Sequence, residues 1–289
     1  MGSIIQPLAE IYPQLYLTPG EEGRELWKKI VARGEDAPSH SLDHFRGNSR
    51  DSVTTEKTPA GEVQIITLGD RHDFELFLQI MGDRCVPTEI PPTQGASILD
   101  GVINWPKIRA NEEKYLAAGG DPEKVLDEFK RFTADPRNYR DALIVLSTGP
   151  YSAVRAEDIG MEEEAWLAAS YRIRKAHECT HFICRRLFPE KINAIWDELV
   201  ADAVGLYAAF GRYDLRLAER FLGVSADGYT GGRLENYAKG EDLDGLAKKV
   251  HQTLLHLEQV IRGEGETDPW SLAIRLEGEM SVWTDDGRA

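Results

Sequence analysis

The chain has 289 residues, 42% of them hydrophobic and 29% charged. That is a globular composition, long enough to bury a core without staples. Asp and Glu number 49 against 34 Lys and Arg, a formal charge of -15. So acidic a surface repels phosphate backbones and argues against a nucleic-acid partner. The three cysteines, Cys85, Cys179 and Cys184, make no disulfide framework and fit a reducing compartment.

Met1 to Gln14 lacks the basic-then-apolar pattern of a signal peptide. Gly2 sits where a myristoylation signal would place it, but Gln6 stands where that signal needs Ser or Thr. No apolar run reaches the length of a bilayer span, so the expectation is a cytoplasmic protein with no membrane partner. Residues 21–33 read as an amphipathic helix with Leu26, Trp27 and Ile30 inward, and residues 34–61 as a long loop. Val63 to Leu68 reads as a strand and Asp73 to Met81 as a helix. Residues 84–107, with four prolines, read as irregular or as short edge pieces. Asp121-Pro122 opens a helix running to about Phe132, and Ala142 to Leu146 is a buried strand.

Beyond residue 155 helical patterns dominate, at about 157–187, 190–210, 213–222, 242–262 and 269–279. Gly211, Gly223 and Gly263 stand at the breaks. The expected fold class is α+β. A mixed α/β lobe with a small sheet spans residues 1–155, and a mostly helical lobe spans 156–289. No Pro-rich or acidic linker divides them, which suggests two lobes of one unit.

The sharpest chemical feature is His177-Glu178-Cys179-Thr180-His181. Two histidines four residues apart lie one turn apart on one helix face, so both imidazoles reach one ion. Glu178 is rotated away from that face, toward a water on the metal rather than the metal itself. From the chain's own composition about 0.02 such strings are expected by chance, so the match is a specific signal. A helix that ends near Pro189 and a second that starts at once, with Ile192, Ile195, Trp196, Leu199 and Val200 apolar, make an antiparallel pair. His181 lies eight residues before Pro189 and Glu198 nine after, which puts them level. Asp202 then falls level with His177. This register marks Glu198 as third ligand and Asp202 as the acceptor that orients a liganding histidine.

His177-Glu178-x-x-His181 followed by Glu198-Leu199-Val200-Ala201-Asp202 resembles the gluzincins, a group of zinc metallopeptidases. The resemblance covers about residues 170–210. It implies a zincin-like fold, zinc on His177, His181 and Glu198, and Glu178 as general base. Substrate class does not carry over, though zincin sites usually run along the edge strand of a small sheet, and a peptide or protein substrate is the expectation. The strand at 142–146 would belong to that sheet.

Tyr229, Arg233 and Tyr237, in the glycine-rich stretch from Gly228 to Gly240, are candidates to stabilise an oxyanion. Asp197 and Glu235 are rival third ligands. His40 and His44, with Asp43 between, are also four apart, but Pro38 and Gly47 flank them and disfavour a helix. His72, beside Asp70 and Asp73, reads as a capping or surface residue. His251 and His256 are five apart and diverge on a helix, and Cys179 points off the histidine face. Two other readings use the same residues. One is a non-haem iron enzyme, which also takes two histidines and a carboxylate but usually from strands. The other is a non-catalytic protein in which a metal braces the helix pair for binding or regulation. No pattern in the chain fixes the oligomeric state.

Overall fold

The computed structural model describes residues 4–190, 193–238, 240, 242–263 and 267–279. Its helices in chain order are α1 (Ile5–Ile11), α2 (Glu21–Arg33), α3 (Arg71–Met81), α4 (Trp105–Ala117), α5 (Val125–Thr133), α6 (Glu163–Leu187), α7 (Ala194–Phe210), α8 (Leu215–Leu222), α9 (Leu243–Arg262) and α10 (Pro269–Gly278). The strands are β1 (Ser52–Thr58), β2 (Gly61–Leu68), β3 (Ala96–Ile103) and β4 (Arg140–Ser147), with a small ribbon of β5 (Val224–Ser225) and β6 (Gly228–Tyr229). The architecture is mixed α+β, with a small sheet and a helical second half.

The chain divides into two compact units. The first comprises residues 1–55, 64–90 and 97–147, and the second 56–63, 91–96 and 148–289. The division thus falls at 147/148 rather than 155/156. Two short excursions from the N-terminal half, 56–63 and 91–96, belong to the second unit. A boundary read from composition alone has no access to such excursions, because packing rather than sequence order decides them.

The four-stranded sheet runs in the order β1-β2-β4-β3. β2 and β4 pair in parallel, Ile65 beside Ile144 and Ile66 beside Val145. β4 is a continuous apolar run from Ala142 to Leu146, as a strand covered on two faces requires, while Gln64 and Thr67 interrupt that of β2; Ile65, Ile66 and Leu143 to Leu146 are fully buried. β4, which carries 142–146, is interior, and β1 and β3 are the edges. β1 lies inside the expected loop 34–61. Its sequence, Ser-Val-Thr-Thr-Glu-Lys-Thr, has β-branched residues but almost nothing apolar, so an edge strand reads as a loop.

β3 and α4 correct the irregular reading of 84–107. Pro106 is in the first turn of α4, where its missing N–H costs nothing, and Asn104 caps that turn by accepting from the Lys107 N–H. At Asp121-Pro122 the chain makes a 3-10 turn and the α-helix begins only at Val125. In the C-terminal half α6 starts at Glu163, after a separate 3-10 turn at Ala156–Ile159, and α7 starts at Ala194. Ile192 lies outside the described residues. Gly211 and Gly223 close α7 and α8 in the left-handed conformation, whereas Gly263 follows α9 with φ of -73°.

The second unit's core gathers Trp166, Ile173, Trp196, Leu199, Val200, Val204, Phe221, Leu254 and Leu272. α6 and α7 run antiparallel within it, because His181 faces Glu198 and His177 faces Asp202. One rung further along, a Cβ on Gly205 would lie 2.9 Å from the Ile173 carbonyl oxygen. Glycine there lets the two helices close to the distance the facing side chains need.

Candidate metal centre

α6 presents Ser170, Arg174, His177 and His181 as one buried stripe at spacings of four, three and four, the helical repeat of a single face. Asn193 caps α7 by accepting from the Ile195 and Trp196 N–H groups, which fixes the first turn of the helix that carries Glu198 and Asp202. The sequence-predicted residues His177, His181 and Glu198 come together as one cluster of potential ligand atoms. The two Nε2 atoms are 3.0 Å apart, and the Glu198 oxygens lie 3.5 Å from His177 Nε2 and 3.4 Å from His181 Nε2. Ligands about 2.0–2.1 Å from a tetrahedral zinc stand about 3.3 Å from one another, and the three separations are of that size, although the two histidines face different oxygens of Glu198.

The donor chemistry fits as well. Glu178, Glu198 and Asp202 supply three carboxyl groups against two guanidinium groups, Arg233 and the more distant Arg174, in largely buried surroundings. Burial disfavours charge on Glu198, yet the two imidazoles and Arg233 hold its carboxyl well below the usual range. Burial likewise opposes a charge on His177. The hydrogen bond to Asp202 and the fields of Glu198, Asp202 and Glu178 overcome it and raise the ring's pKa. The cluster therefore favours added positive charge where the two Nε2 atoms meet.

Behind His177 sits a second layer. Its Nδ1 lies 3.0 Å from Asp202 Oδ1 and 3.0 Å from the Tyr151 hydroxyl, which itself donates to Asp202 Oδ1 at 2.6 Å. A ring that donates from Nδ1 leaves the Nε2 lone pair for a metal. Burial, then the charge on Arg233 and the hydrogen bond to His177, set Asp202; the last two outweigh burial and keep it ionised.

Tyr151 was not legible in the sequence. α6 positions it. Ser170 Oγ accepts from the Tyr151 N–H at 2.9 Å, and Arg174 donates to the Gly149 and Pro150 carbonyls at 3.0 Å each. Ser152 and Ala153, directly after it, hold φ of 52° and 58°. Two successive non-glycine residues in the left-handed region cost about 1 kcal/mol or more each, strain that the surrounding contacts of Tyr151 sustain. The only sequence signal was the polar stripe itself, since Ser170 and Arg174 share the face of the histidines.

The three oxyanion candidates part company. The Tyr229 hydroxyl is spent on its own turn, donating to the Gly232 carbonyl and accepting from the Gly232 N–H. Arg233 pairs with Asp202 and lies over the Tyr151 ring, on the Nδ1 side of His177 and away from the meeting point of the Nε2 atoms. Only Tyr237 faces the ligand set: burial and the adjacent Glu198 charge push its hydroxyl pKa up. Glu235 is exposed and takes no part. Asp197, raised by burial, is outside the ligand cluster.

Elsewhere, His44 Nε2 meets the Leu15 carbonyl and His40 packs against Tyr16. His251 pairs with Glu219. His72 contacts Asp73, and Asp70, His72 and Asp73 also cluster. Their carboxylates are already engaged, Asp70 as the cap of α3 and Asp73 by the Arg46 and Gly47 N–H groups. Cys179 is fully buried, and burial pushes its thiol up to about 12, so it offers no thiolate.

A family model matches residues 22–261. The chain belongs to that family, the "Family of unknown function (DUF7005)". The matched region runs from the first turn of α2 to the last turn of α9 and contains every residue of the cluster around His177. No curated protein and no solved structure gave a significant match. Among the described residues no helix is long and apolar enough to cross a membrane.

Proposed function

We propose that the protein is a zinc-dependent hydrolase of gluzincin type, most simply a metallopeptidase acting on a peptide or protein substrate. The observation that carries this reading is the convergence of His177 Nε2, His181 Nε2 and Glu198 on one point, with Glu178 next in the chain to the first ligand. Bound zinc supplies a Lewis acid that polarises a carbonyl and brings the pKa of a coordinated water to about 7. His177, His181 and Glu198 hold the ion, and Asp202 with Tyr151 keeps the His177 ring in the orientation that ligation needs. Glu178 takes one proton from the attacking water as its oxygen bonds to the carbonyl carbon. It returns that proton to the leaving nitrogen as the C–N bond breaks, so that one water is consumed and one acid and one amine are formed. Tyr237 provides a hydroxyl donor beside the ligand set. Burial of Glu178, 8% exposed, limits competition from bulk water for that proton.

Both histidines sit on helices, which favours zinc over the strand-borne iron set. A second reading, a metal that only braces α6 against α7, draws on the same burial: His177 is 5% and His181 7% exposed. A peptide-library cleavage assay on the zinc-loaded protein and on Glu178→Gln separates the two. Cleavage that disappears in the variant while zinc stays bound supports the hydrolase; no cleavage by the zinc-loaded wild type supports the brace.

A further inference from the structure

The segment from Gly231 to Tyr237 supplies no ligand atom, yet it reaches the carboxylates of both Glu198 and Asp202. The Arg233 side chain is only 11% exposed, its Nη2 paired with Asp202 Oδ2 and its Nη1 3.5 Å from the Tyr151 hydroxyl. Its carbon lies 5.2 Å from the centre of the Tyr151 ring. The oxygens of Asp202 are therefore divided: Oδ2 belongs to Arg233, and Oδ1 to Tyr151 and His177. A carboxylate held at one oxygen can still turn about its Cβ–Cγ bond, whereas one held at both cannot. Arg233 removes the rotation that would let His177 tilt away from the ion. Four residues on, Tyr237 faces Glu198.

The entry to this segment is fixed by backbone. A Cβ on Gly232 would sit 2.4 Å from the Gly223 nitrogen, and a Cβ on Gly223, where φ is +70°, 2.2 Å from the Gly231 carbonyl carbon. Only glycines permit that approach, so the end of α8 sets where Arg233 begins.

We propose that residues 231–237 form a positioning strap for the metal centre: Arg233 fixes Asp202, Asp202 fixes the His177 ring, and metal affinity depends on a side chain that never touches the metal. The inference rests on the metal-site reading above. The test is zinc affinity of the full chain, stripped of metal and titrated against a chromophoric chelator, with circular dichroism to establish that each metal-free variant is folded. Arg233→Ala is expected to weaken zinc binding by about 10-fold, the lower end of the cost of losing an outer partner of a ligand, because Arg233 acts through that partner. Arg233→Lys should recover part of this, since a point charge replaces the two-pronged fork. Gly232→Ala changes no polar group, and by displacing the strap it should also weaken binding. It decides the matter alone if Arg233→Ala does not fold. Folded variants with wild-type zinc affinity would overturn the strap and leave the metal centre standing. A wild-type chain that takes up no zinc would overturn the metal centre itself.

Discussion

Two carboxylates in this molecule, Asp202 buried and Asp141 partly so, are built from nearly the same parts. Asp141, in the first unit, accepts from the Tyr12 hydroxyl at 2.6 Å, the Asn104 amide at 2.7 Å and the Lys107 ammonium at 2.5 Å. Asp202, in the second, accepts from the Tyr151 hydroxyl, Arg233 and His177 Nδ1. Each has a tyrosine, a cation and one further N–H donor. Around Asp141 the contacts continue only into structure, since Asn104 also caps α4, and the cluster is a brace between β4 and residues of the first unit. Around Asp202 one donor is an imidazole whose far nitrogen continues to His181 and Glu198. A satisfied buried carboxylate is therefore structural by default. What makes the second cluster a candidate site is that the two Nε2 atoms and the Glu198 carboxylate face one another.

Glu178 has no counterpart near Asp141, and removing its basicity should separate the clusters most sharply. Glu178→Gln is expected to lower hydrolysis about 10²- to 10⁴-fold, the range general-base catalysis contributes, with zinc content unchanged. Steady-state rates alongside elemental analysis check both halves. Glu198→Ala removes a proposed ligand rather than an outer partner. Its zinc affinity should fall by more than the roughly 100-fold upper cost of an outer contact, as chelator competition would read. If zinc binds that variant as tightly as wild type, the third ligand is another group.

Asp141→Asn is the corresponding break in the first unit. It should cost about 1–2 kcal/mol near neutral pH, because it takes a charged acceptor from the buried Tyr12 and Asn104 donors, with little from the Lys107 ammonium, whose side chain is 44% exposed, and leave zinc affinity alone. The Asp141 carboxyl is opposed by burial but held below its usual range by Lys107, Tyr12 and Asn104. A depressed folded pKa means the stabilisation is full above the unfolded value of about 3.9 and is lost as pH falls through the folded one. The gap between wild type and Asp141→Asn in urea unfolding should thus close on acidification. A gap that stays constant would remove the charge from the explanation. The smallest expected effect is Asn193→Ala, at about 1 kcal/mol for a lost helix cap, visible as a lower unfolding midpoint of the metal-free protein.

The second cluster was far more legible in the sequence than the first, and the reason is local periodicity. His177, His181, Glu198 and Asp202 sit on two adjacent helices across a short link, so spacing and the position of Pro189 set their register. Arg233 was visible as a residue but not in its position, because its partner lies 31 residues away across a glycine-rich turn. Tyr151 and Asp141 left no periodic trace: one hangs from a strained corner, and the other joins partners up to 129 residues apart. Fold legibility followed the same line. Helices with apolar stripes and the interior strands β2 and β4 could be read, whereas the polar edge strand β1, the edge strand β3 and the proline-led helix α4 could not. In those elements partners distant in sequence, or the exact turn a proline occupies, carry the information.

The most direct test of the metal centre is the metal content of the protein purified without added metal, measured by elemental mass spectrometry beside the His177→Ala/His181→Ala double variant. The account predicts about one zinc per wild-type chain and essentially none in the variant, as a two-histidine, one-carboxylate donor set with an open fourth position requires. Wild-type protein that carries no metal and takes up none when titrated with zinc would contradict it, and the converging histidines would then be a hydrogen-bonded part of the α6–α7 core.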